Sequence, residues 1–429
     1  MLFGLIINIL LFAFVIQSVY SISKSEKLNF KWVFIVFIIK TIFGCLYGII
    51  YAKSPITSDT WNYHSIGLTE YKWLQSNFFN FAADLFKHGY NEKQTTTFFN
   101  SDQSYWKDLP LNLLVKLLAI FNIISRGNYY LNVLLYNLLT LVGNLYLFKA
   151  ICIWFPEKRK IAFTICCLFP PLLFWTSGIH KDGIVFTCTA VILYFISTKS
   201  LSIYQRIIGG IFVFALLFLF RNFVALSLMP WLIAFFISLW YRKKVVAVYI
   251  VTLCVGVLLF TVSSLGPSAT NFPKKLQERQ AQYLQLKGNS YMYTPSLTGS
   301  FKSYIQLLPI AINHAFCRPY FTESTGVLAL ISAIESYAMI AIWCVAIVFF
   351  RKQFSILQHP FLLLLLFFAC TNYLLIGFTV PFTGAIVRYR VIFELFLLII
   401  SVLIIDSNQL ISNQLNVWFR KKIHPIKTI

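Results

Sequence analysis

Carboxylates are the scarce chemical resource of this chain, fourteen Asp and Glu against thirty-six Lys and Arg. Six of them fall between residues 53 and 110: Asp59, Glu70, Asp84, Glu92, Asp102 and Asp108. Asp59 opens the string Ser-Asp-Thr-Trp-Asn-Tyr-His (58–64), just after a long apolar block. A carboxylate at the membrane surface yet reachable from water can take a proton from an acceptor hydroxyl, or hold a divalent cation. His64, five residues on, is a second titratable group for the same chemistry. The competing reading is that Asp59 caps the helix that follows it.

A second constellation is the turn His180-Lys181-Asp182, set between two apolar blocks and preceded by Pro170, Pro171 and Gly178. The double proline breaks or kinks the helix before the turn. Lys181 at the membrane boundary can bind a phosphate, and Asp182 can pair with it or cap the next helix; the plain alternative is a polar hairpin with a snorkelling lysine. Arginine supplies a third feature. Arg221, Arg318, Arg388 and Arg390 fall at span ends on the side where basic residues are disfavoured, and a guanidinium fork grips phosphate bidentately. Their alternative partners are lipid headgroups, Glu335 and Glu394. Lys40 lies inside an apolar block with no partner evident in the sequence. No Walker loop, zinc motif, nucleophile elbow or dinucleotide fingerprint is present.

The elements that must position these residues are membrane helices. The chain is 59% hydrophobic and 12% charged, about half the charged fraction of soluble proteins, and its mean hydropathy is +0.74. The apolar residues form long blocks that predict an all-α polytopic membrane protein of about eleven spans. These are 2–21, 32–52, 129–151, 161–177, 184–197, 207–220, 223–241, 245–264, 328–350, 360–380 and 391–405. Residues 111–125, apolar but short and carrying Lys116, predict a re-entrant or interfacial helix. The basic clusters 23–31, 157–160, 242–244, 351–352 and 420–422 all fall on one side when the spans alternate. By the positive-inside rule that side is the cytoplasm, with the N-terminus outside and the C-terminus inside. Two long polar segments, 53–110 and 266–326, are then extracytoplasmic loops of a single integral membrane domain, 1–429. Residues 272–286 within the second read as an amphipathic interfacial helix.

The net charge of +22 resides in short gaps between apolar blocks, which points to membrane lipids rather than nucleic acid as its partner. Nine cysteines show no metal spacing; most fall within or beside apolar blocks, and only Cys317 falls in an external loop. The first block lacks a basic leader and a cleavage site, so no signal peptide is expected.

The 58–64 string in a long first external loop, the run Phe-Trp-Thr-Ser-Gly-Ile-His-Lys-Asp-Gly (174–183) and Arg-Tyr-Arg (388–390) together resemble the GT-C-type integral membrane glycosyltransferases that use polyprenyl-phosphate-linked sugars. The resemblance implies that Asp59 activates the acceptor or positions a metal, and that Lys181, Arg388 and Arg390 hold the lipid phosphate. It implies transfer to an envelope glycan, lipid or protein, on the extracytoplasmic face of a bacterial-type inner membrane. Two departures stand: two spans precede the first loop where that family has one, and no Asp-x-Asp pair accompanies Asp59. O-antigen-type polymerases, with many spans and external arginines, are the close rival. A transporter or flippase of a lipid-linked substrate is the third reading.

Overall fold

A computed structural model describes residues 2–53, 58–85, 105–267, 270–286, 288, 290–323, 326–349 and 358–405. Within them lie seventeen α-helices and no named strand. The architecture is all-α, as the apolar blocks predict, and each of the eleven expected spans coincides with a helix or a bent helix pair. Seven helices are long and apolar enough to cross a membrane, or eight if the bent pair counts as one span. The chain divides into two compact units, 1–226 and 227–429.

The first unit comprises α1 (Leu2–Ser25), α2 (Phe30–Tyr51), α3 (Asp59–Ser76), α4 (Phe78–Asp84), α5 (Tyr105–Ser125), α6 (Tyr129–Trp154), α7 (Arg159–Leu168), α8 (Pro170–Ser177), α9 (Lys181–Ser197), α10 (Ile203–Phe220) and the start of α11 (Asn222–Trp240). Its centre is α6, against which α9, α2 and α7 pack. α6 also solves the problem posed by the double proline. Pro170 has no N–H to offer the Cys166 carbonyl one turn back, and an unmet carbonyl at membrane depth is costly. The buried Asn144 of α6 donates its Nδ2 to that carbonyl at 2.7 Å. One layer on, Asn137 Nδ2 donates at 2.9 Å to the carbonyl of Ser177, where α8 ends. So α7 and α8 meet at a 42° bend, both ends held by side chains of one neighbour.

Close approach of α2 completes this layer. A Cβ on Gly44 would lie 2.5 Å from the Ser177 carbonyl oxygen and 2.7 Å from both Asn137 Nδ2 and Val133 Cγ1. Small residues let membrane helices touch backbone to backbone in this way. The segment after α2 holds α3 and α4, and α3 lies along α5. Buried Glu70 of α3 accepts a 2.8 Å hydrogen bond from Lys116 of α5, so the lysine that marked 111–125 as interfacial is neutralised inside the fold.

The second unit holds the rest of α11, α12 (Val245–Val262), α13 (Phe272–Leu284), α14 (Phe301–Phe316), α15 (Val327–Val348), α16 (Pro360–Thr379) and α17 (Thr383–Ile404). Buried Gln280 of the amphipathic α13 donates to the carbonyls of Pro295 and Phe378 and accepts from the Leu297 N–H. Met292 N–H bonds the Pro381 carbonyl at 2.9 Å, and Thr383 N–H bonds that of Ser290 at 3.0 Å. The long polar segment is therefore clamped onto the turn between α16 and α17. Clusters 351–352 and 420–422, with Glu92 and Asp102, lie outside the described residues.

Replacing Gly44 by Ala must push α2 off its neighbours, and overpacking of this kind costs about 2 kcal/mol. Gly256 of α12 has open space where its Cβ would be, so its change to Ala should not destabilise and should gain up to about 1 kcal/mol of helix propensity. Thermal unfolding of the detergent-solubilised variants distinguishes the two; equal effects would contradict the packing described.

Candidate functional site

The turn between α8 and α9 carries His180, Lys181 and Asp182, and the fold assembles a polar series around it. His180 sits at the N-cap of α9 in extended backbone geometry. Its carbonyl accepts a hydrogen bond from Tyr136 Oη of α6. Gly183 is what lets the turn come so close: a Cβ there would strike Tyr136 Oη and lie 2.6 Å from the Thr176 carbonyl oxygen. The imidazole is 1% exposed, and the rings of Tyr47 and Tyr63 stand edge-on to it at 5.9 and 5.8 Å.

Two carboxylates flank that ring. Asp59 Oδ2 lies 3.5 Å from Nε2, and Asp182 Oδ2 lies 3.6 Å from Nδ1. Asp59 is the first residue of α3, and its side chain is 49% exposed; Asp182 is buried in the first turn of α9, where the helix dipole favours a negative charge. Asp182 Oδ1 accepts a 2.5 Å hydrogen bond from Arg221 Nη2, and Arg221 is the residue between α10 and α11. Asp59, His180, Asp182 and Arg221 thus form one row from a water-exposed carboxylate to a buried ion pair. Both imidazole contacts are longer than a formed hydrogen bond, and such contacts in ligand-free sites commonly tighten on binding. The row can hold a proton on the imidazole and deliver or remove it at Asp59. The half-buried Lys181 ammonium lies 5.9 Å from the centre of the Tyr63 ring.

Several expectations change in detail. Asp59 does not cap α3; Ser58 occupies that position and makes no side-chain cap bond. Asp182 pairs with Arg221, so the guanidinium expected to grip phosphate is engaged inside the fold. His64 belongs to another network. It is buried against Trp61 and Tyr129, with its Nδ1 3.4 Å from Asn132 Nδ2, and burial lowers its pKa below the usual histidine value. Five residues along a helix turn its side chain well away from that of Asp59. Lys40 has a buried hydroxyl partner, donating from Nζ to Thr176 Oγ1 at 3.1 Å.

Arg318, Arg388 and Arg390 belong to the second unit. Arg390 is buried, donates from Nη1 to the carbonyls of Ala315 and Arg318 at 3.0 and 2.8 Å, and from Nη2 to Ser336 Oγ. Its Nε lies 3.5 Å from Glu394 Oε2, and Glu335 interacts with both. Arg390 therefore holds α14, α15 and α17 together and is turned from external ligands. Arg318 pairs with Glu323 at 3.0 Å. Arg388 is half-buried, its guanidinium 5.6 Å from the centre of the Tyr389 ring.

Sequence reasoning passed over Tyr136, Tyr47 and Tyr63. All three are aromatics within apolar or aromatic-rich stretches, and nothing local sets them apart from the chain's other tyrosines. Among the described residues no group of three His, Cys, Asp or Glu side chains could hold a metal ion. Comparison with known protein families, curated proteins and solved structures finds no match for the chain.

Removing one partner of a buried ion pair strands the other charge. Asp182→Leu should destabilise the protein by about 3 kcal/mol and Arg221→Leu by a similar amount, whereas the two together should cost clearly less than the sum of the single changes. Unfolding measured across the four proteins tests this; strict additivity would show that the pair is not a unit.

Proposed function

We propose that the chain is an integral membrane glycosyltransferase. In this reading a sugar moves from a polyprenyl-phosphate-linked donor to an envelope glycan, lipid or protein on the extracytoplasmic face. The observation that carries it is the exposed Asp59 carboxylate held against buried His180. Asp59 acts as base on the acceptor hydroxyl while His180 and Asp182 hold and share the proton. Displacement at the anomeric carbon breaks its bond to the donor phosphate and forms the new glycosidic bond. Lys181, on the same turn, stabilises the departing phosphate. The reading takes all eleven apolar blocks as spans, with the N-terminus outside and the C-terminus in the cytoplasm of a bacterial-type inner membrane.

The polymerase reading rests on arginines acting on substrate, and the engagement of Arg221 and Arg390 with Asp182 and Glu394 weighs against it. The transporter reading draws on one specific observation, the buried charges Arg390, Glu394 and Glu335 among helices of the second unit. An ionisable group at that depth is a functional hypothesis in its own right.

The test is transfer from a polyprenyl-phosphate sugar in reconstituted vesicles. Asp59→Asn should lower the rate by about a hundredfold or more while the protein still inserts and unfolds as the parent does. Undiminished transfer in Asp59→Asn would remove the assignment. Movement of the labelled donor across the vesicle membrane without transfer would favour the transporter reading.

A further inference from the structure

Helix α9, which carries Asp182 and follows His180, ends at its other terminus beside a basic cavity. It has a volume of about 660 Å³ and lies among the α1–α2 turn, the C-terminal ends of α6 and α9, and the start of α7. Four cations line it, Lys27, Lys149, Arg159 and Lys199, against one carboxylate, Glu26. Lys149 takes that carboxylate and stacks its ammonium over Tyr194 at 5.1 Å. The lining thus carries a net charge of +3, with its acid already matched.

A second observation concerns Lys27. Helix α1 closes with the Leu28 N–H bonded to the Ser23 carbonyl and the Lys27 N–H to that of Lys24. Such a terminus places its penultimate residue in the left-handed region, a position that glycine fills at least cost. Here it is a lysine, at φ 54°. From that position the exposed Lys27 lines the cavity. Hydroxyls stand beside it: Ser200 lines the cavity and pairs with Thr198 Oγ1 at 2.8 Å. Leu28, Ile153 and Leu201 add an apolar wall.

We propose that this cavity is a second, phosphate-binding site, held by Lys27, Arg159 and Lys199, whose ligand is the phosphate of a lipid headgroup. Three exposed cations lining one cavity, with hydroxyl donors, suit an oxyanion with several acceptor oxygens. The volume is that of a small-molecule site, far more than a bare phosphate needs. The 17 residues of α9 separate the cavity from His180 by a rise of roughly 25 Å, close to the thickness of a bilayer's hydrocarbon core. The cavity therefore lies at the level of the headgroups on the face opposite Asp59. A soluble phosphate ester offers the same chemistry, and the experiment separates the two sources.

The full chain is purified into nanodiscs of phosphatidylcholine alone or with phosphatidic acid, and retained lipid is counted by native mass spectrometry. Inorganic pyrophosphate is the soluble probe, its binding followed by calorimetry. The parent should retain phosphatidic acid, and each cation removed should weaken binding about fivefold, so that Lys27→Gln with Arg159→Gln and Lys199→Gln loses about a hundredfold. Lys199→Glu, a change in an exposed loop, gives the same direction without threat to folding. Binding of pyrophosphate but not of the lipid would keep the site and assign it a soluble ligand. Equal retention by parent and variants, or no binding of either probe, would overturn the proposal. Asp59→Asn should bind as the parent does, so a failure of the transfer reading and a failure of this site are told apart.

Discussion

A carboxylate taken out of water must meet a positive charge or several hydrogen-bond donors, and Asp182 meets that demand through Arg221. The pair ties the first turn of α9 to the junction of α10 and α11. It fixes Asp182 where its second oxygen faces His180, which in turn faces Asp59. Without it the turn would carry an uncompensated buried charge, at a cost of several kcal/mol. The asparagines of α6 do the companion work. By donating to the carbonyls at Cys166 and Ser177 they hold the bent α7–α8 pair that delivers the turn, so the proline break becomes a fixed bend rather than a weak point.

This arrangement gives the first unit two unlike ends. At one, a carboxylate that water can reach is backed by a buried imidazole. At the other, cations surround a cavity that holds one acid, already paired. Helices α2, α6 and α9 run between them. The second unit spends its buried charges differently: Arg390 serves backbone carbonyls, Ser336 and Glu394, and so works as a cross-brace among helices.

The helices were legible in the sequence because long apolar blocks leave few alternatives. Some of their ends were legible too, as at Pro170 where the double proline marked a break. The residue types of the candidate site were also readable. A His-Lys-Asp turn between apolar blocks is conspicuous, and Asp59 stands out in a chain so poor in acids. What the sequence could not supply was partnership. Asp182 has Arg221 as a partner thirty-nine positions away, and only the packing of α9 against α10 brings the two together. The same holds for Lys40 with Thr176 and for Glu70 with Lys116. His64 shows the converse error: closeness to Asp59 in sequence suggested a shared site, yet helical geometry sends the two side chains to different networks.

The proposed chemistry depends on the contact between Asp59 and His180. The most direct measurement is a spectrum of the full chain carrying isotope-labelled histidine, with the His180 ring signals identified by their loss in His180→Gln. They should shift in Asp59→Asn and again in Asp182→Asn, while those of His64 stay in place. His180 signals unmoved by either change would contradict the row of interacting groups on which the proposed chemistry depends.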